Sequence, residues 1–84
     1  MGTYIITFRS VTPAQRAERL LRGVGLSCHL GRTPRWMEEQ GCGYSIRVRN
    51  VEADALVALL HSHRISFRKL YSQGENGAME EVSL

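Results

Sequence analysis

Cys42 stands between Gly41 and Gly43, and this triplet is where the chain comes nearest to carrying chemistry. Flanking glycines place no side chains beside the sulfur and let the backbone approach a partner closely. A thiol acts as a nucleophile through its thiolate, which a nearby positive field favours. Arg32 and Arg35 supply guanidinium groups in the same stretch, and loop amides around Gly41 and Gly43 are of the kind that hold an anion. Thr33-Pro34-Arg35 adds a hydroxyl and a guanidinium for an anionic group. A purely structural reading uses the same residues. The glycines then form the turn that enters a strand with Cys42 packed beneath it, Thr33-Pro34-Arg35 is a rigid turn, and Trp36 anchors the loop by burial. On the residues alone the two readings stand about even.

Other chemistries lack their residue sets. His29, His61, His63 and Cys28 are of metal-ligand type, but there is no C-x-x-C pair and no H-x₃₋₅-H. His61 and His63, two apart on a helix, point to different faces. No metal or bound cofactor is therefore expected. Cys28 falls in a strand, where a free cysteine behaves as a small buried hydrophobe. The chain has no paired carboxylates, no Ser-His-Asp set and no phosphate-binding glycine loop. It reads as a carrier or binding protein rather than a turnover enzyme. With only two cysteines, a disulfide-stapled secreted scaffold is disfavoured. No apolar run approaches the ~20 residues needed to cross a bilayer, and Met1 to Phe8 lacks the features of a signal peptide. The expected address is the cytoplasm, with no membrane partner.

The elements that must position the triplet follow from periodicity. The 84 residues, 43% hydrophobic and 23% charged, suit one ordinary globular domain. Tyr4 to Phe8, β-branched and aromatic, predicts a central strand. Thr12-Pro13-Ala14-Gln15 has the composition of a helix start with Thr12 as cap. Ala14, Ala17, Leu20, Leu21 and Val24 then recur at helical spacing, and Gly23 and Gly25 end the helix. Leu26 to Leu30 reads as a short second strand, and 31–43 as a long loop. Tyr44 to Arg49 alternates, so Tyr44, Ile46 and Val48 face the core. Asn50 is placed to cap a second helix whose Leu56, Leu59 and Leu60 share a face. Ile65 to Tyr71 completes a fourth strand. The expectation is an α+β fold of βαββαβ order, ferredoxin-like, with a four-stranded antiparallel sheet and two helices on one face. The domain spans 1–72, followed by a flexible acidic tail over 73–84.

That arrangement leaves one sheet face open, carrying Ile5, Thr7, Arg9, Ser45, Arg47, Arg49 and Arg68. The net charge is +3, and residues 1–50 hold eight arginines against Glu18, Glu38 and Glu39. RNA-binding sheets stack bases on exposed aromatics, whereas Tyr44 and Phe67 alternate with the arginines and point toward the helices. Nucleic acid is disfavoured, and a solvated or homodimerising face is the simpler use.

Taken together, Phe8-Arg9-Ser10 closing the first strand, Ala14 and Glu18 in the helix, Thr33-Pro34-Arg35, and Cys42-Gly43 entering Ser45-Ile46-Arg47 resemble the selenium/sulfur carrier-like family of small bacterial domains. The match covers roughly residues 4–70. The resemblance implies a ferredoxin-like domain in which Cys42 carries sulfur or selenium as a persulfide or selenosulfide, with Thr33, Arg35, Gly41 and Gly43 beside it. It implies donor and acceptor proteins as partners. Members commonly have a serine three residues before the cysteine, where this chain has Glu39. The rival from another class is a ferredoxin-like interaction or regulatory module that dimerises or binds a small anion without a covalent step.

Overall fold

The structure, a computed structural model, describes residues 2–33 and 43–82. Its elements run β1 (Gly2–Phe8), α1 (Val11–Gly23), β2 (Cys28–Arg32), β3 (Tyr44–Val51), α2 (Ala53–Ser62), β4 (Leu70–Gln73) and β5 (Met79–Glu81). The strands form one five-stranded sheet in the order β2-β3-β1-β4-β5, and every pairing is antiparallel. The expected four strands are thus five.

Directly paired residues share a face, so register sorts the side chains. Ile6 pairs with Ile46 on one side and Leu70 on the other, Tyr4 with Val48, and Phe8 with Tyr44. Ile6, Phe8, Ile46, Val48 and Leu70 join Ala14, Ala17 and Leu21 of α1 and Leu56 and Leu60 of α2 in one buried cluster. Both helices therefore bury their apolar stripes against the same sheet face. The opposite face pairs Ile5 with Arg47 and with Tyr71, and Thr7 with Ser45. There Ile5 and Tyr71 form a second small cluster, with Met79 of β5 packed against it. The open face thus has an apolar centre, and it includes a buried aromatic that the sequence reading did not place there.

Local chemistry explains the boundaries. The cap of α1 is Ser10, in extended conformation, and not Thr12. Pro13 falls in the first turn, where its missing N–H is one that an α-helix leaves unpaired anyway. Asn50 does not cap α2 either; that residue is Glu52. Between the pairs Gly2–Val51 and Tyr4–Val48 the ladder slips by one residue, and Asn50 at φ 58° sits in the bulge. Asparagine tolerates this left-handed conformation, and the extra residue returns Val51 to the core.

Both helices end in the same way. After α1, Gly25 has φ 88°, its N–H donates to Arg22, and the Leu26 N–H reaches back to Leu21. After α2, Arg64 has φ 56°, its N–H donates to His61, and the Ile65 N–H reaches Leu60. This double bond with an apolar residue just after the left-handed one is a Schellman motif. It uses Ile65 as the apolar contact at a helix end, so β4 begins at Leu70 and not at Ile65. Arg9 and Arg68 lie outside the strands.

β5 lies in the stretch read from sequence as a tail. Tyr71 pairs with Glu81 and Gln73 with Met79, the Val82 N–H donates to Leu70 at 2.8 Å, and the Val82 side chain packs against the main cluster. Truncation after Gln73 should lower stability by about 2 kcal/mol, from lost burial at Met79, Val82 and Tyr71. A chemical denaturation curve with an unchanged midpoint would contradict this packing.

Candidate functional site

Antiparallel pairing brings the closing end of β2 beside the opening end of β3. Arg32 pairs with Tyr44, which pairs in turn with Phe8 at the end of β1. The Arg32 guanidinium lies over the Tyr44 ring at 5.6 Å from its centroid, a favourable cation–π distance. One rung further, the Thr33 N–H donates to the Gly43 carbonyl at 3.1 Å. Thr33 and Gly43 thus close the ladder and flank the segment 34–42 in sequence. Gly43 is buried. The Thr33 hydroxyl is also buried and has no hydrogen-bond partner among the described residues.

Of the site residues expected from sequence, Thr33 and Gly43 are brought into contact here. Arg35, Gly41 and Cys42, along with Trp36 and Glu39, lie outside the described residues.

Cys28 is at the other end of β2. It is five rungs from the Thr33–Gly43 pair, roughly 17 Å at the usual strand rise. It pairs with Val48, is partly buried against the core, and its Sγ lies 3.9 Å from the Glu18 carbonyl. That is the setting of a packing cysteine. The histidines are dispersed: His29 is exposed opposite Arg47, His61 stacks on Phe67 at 6.1 Å, and His63 caps the end of α2 through the Leu59 carbonyl. Among the described residues, no three His, Cys, Asp or Glu side chains come close enough together to hold a metal ion.

A second feature at the same end of the sheet was not seen as a unit in the sequence. Thr7, 4% exposed, is the one buried polar residue in the described core. Its N–H donates to the Lys69 carbonyl at 2.9 Å, its carbonyl accepts from the Arg68 N–H at 2.7 Å, and its hydroxyl accepts from the Lys69 N–H at 3.0 Å. This clasp ties Arg68 and Lys69 to the end of β1, close to Arg9. Arg9 is nearly sixty positions from Arg68 and Lys69 in sequence, and the β1–β4 pairing brings them together.

The family model described as "Putative Se/S carrier protein-like" matches residues 3–72. The chain belongs to that family. The matched span of this Se/S carrier-like protein starts in β1 and ends in β4, so it includes both helices, the Thr33–Gly43 pair and the segment between them. β5 lies beyond it. No curated protein and no solved structure matches the chain. No helix among the described residues is long and apolar enough to cross a membrane.

The clasp gives a direct test of how the basic residues are positioned. Thr7→Val keeps the side-chain shape but removes the acceptor of the part-buried Lys69 N–H bond, which should cost about 1 kcal/mol. Denaturation should show that loss, and the Arg68 and Lys69 amide resonances should shift. An unaltered midpoint and spectrum would mean that the hydroxyl contributes nothing.

Proposed function

We propose that this Se/S carrier-like protein holds a single sulfur or selenium atom on Cys42, as a persulfide or selenosulfide, between a donor and an acceptor protein. In this reading the first four strands and two helices form a ferredoxin-like scaffold in the cytoplasm, and the Thr33–Gly43 pair anchors the carrier loop to it. The observation that carries the reading is the family match over residues 3–72, which includes the only cysteine set between two glycines. Cys28, partly packed at the far end of β2, lacks the flanking glycines.

The chemistry asks little of the fold. The Cys42 thiolate attacks the outer sulfur of a donor persulfide, R–S–SH. A new S–S bond forms at Cys42, the donor S–S bond breaks, and the donor leaves as the thiolate R–S⁻. The step is an exchange with no net oxidation and needs no cofactor. The same exchange with an R–S–SeH donor loads selenium. Arg35 and the amides of Gly41 and Gly43 are assigned to stabilise the anionic cargo. The Thr33 hydroxyl, buried without a partner among the described residues, is assigned as a further donor, which would relieve a desolvation cost of roughly 1–3 kcal/mol.

Incubation with a persulfide donor should add the mass of one sulfur to the wild-type chain and to Cys28→Ala, but not to Cys42→Ser. Equal labelling of Cys42→Ser would overturn the assignment. No labelling of the wild-type chain would leave the non-covalent interaction module as the better reading.

A further inference from the structure

Arg9, Ser10, Pro13, Phe67, Arg68 and Lys69 line a cleft of about 600 Å³ between the end of β1, the start of α1 and the segment leading into β4. Three of these residues are cationic, and among the described residues no carboxylate lines the cleft. Lys69 also meets Glu81 at 3.6 Å on its other side, so its charge is shared, while Arg9 is exposed. Like charges gathered in a concave site raise the local concentration of anions. Arginine in particular fits the oxygens of a phosphate group bidentately, with a geometry that a lone ammonium does not match.

The cleft is not wholly polar. Phe67 is half-buried, packs against the core and stacks on His61, and with Pro13 it offers an apolar wall beside the cations. The volume falls in the range of small-molecule sites and is several times what a bare oxyanion fills. The first turn of α1 borders the same space and contains no acidic residue, so nothing in that turn opposes an anion.

We infer that this cleft binds a phosphomonoester, with the phosphate among Arg9, Arg68 and Lys69 and the organic body against Phe67 and Pro13. The residues assigned to the ligand are all described ones, and their occupancy does not depend on sulfur carriage at Cys42.

The test follows amide shifts of the full chain by NMR at constant ionic strength, with phenyl phosphate, benzoate and inorganic phosphate as probes. Phenyl phosphate should give saturable shifts at Arg9, Ser10 and residues 67–69, with tighter binding than either other probe. Arg9→Gln, an exposed change, should weaken it roughly tenfold, the size expected for one charge-assisted contact. Arg47→Gln and Cys42→Ser should bind as wild type does. Benzoate or inorganic phosphate binding as tightly as phenyl phosphate would overturn the inference. So would shifts that do not saturate, or that survive Arg9→Gln unchanged.

Discussion

Strand β1 is hydrogen-bonded on both flanks, to β3 and to β4, and its side chains alternate between two apolar clusters. Ile6 and Phe8 point into the layer between sheet and helices, while Ile5 points to the opposite face. A one-residue slip would exchange these sets and put Ile6 and Phe8 into water. Burial of Ile5 beneath Tyr71 and Met79 adds a second penalty against that slip. The register of β1 therefore sets that of both neighbours, and through β3 that of β2. Where the Thr33–Gly43 pair and the Thr7 clasp fall is a consequence of this one alignment.

The two features at that end of the sheet use the scaffold in different ways. A backbone hydrogen bond at the end of the β2–β3 ladder joins Thr33 to Gly43. The basic cleft depends on the side chain and backbone of Thr7, which hold Arg68 and Lys69 where strand pairing has not yet begun.

The periodic elements were legible in the sequence because a single face of each is buried. Tyr44 to Arg49 alternates, and the leucines of α2 recur on one face, each for that reason. β4 was misread because Ile65 and Phe67 imitate strand alternation while serving the end of α2, where a left-handed Arg64 occupies a position that usually favours glycine. β5 escaped notice because Met79-Glu80-Glu81 is short and charged, as edge strands often are. Thr12 and Asn50 are good capping types, but Ser10 and the β3 bulge took precedence through the alignment of neighbouring strands. Thr33 and Gly43 could be picked out through the family motif. The cleft could not, since Arg9, Phe67 and Arg68 meet only after β1 pairs with β4.

On the proposed reading one thiol, Cys42, carries the cargo while Cys28 packs. Its most direct test is the mass of the chain purified from cells without reductant, followed by peptide mapping. An added sulfur or selenium is expected on the Cys42 peptide, with the Cys28 peptide unmodified. An addition on Cys28, or equal addition on both cysteines, would contradict it.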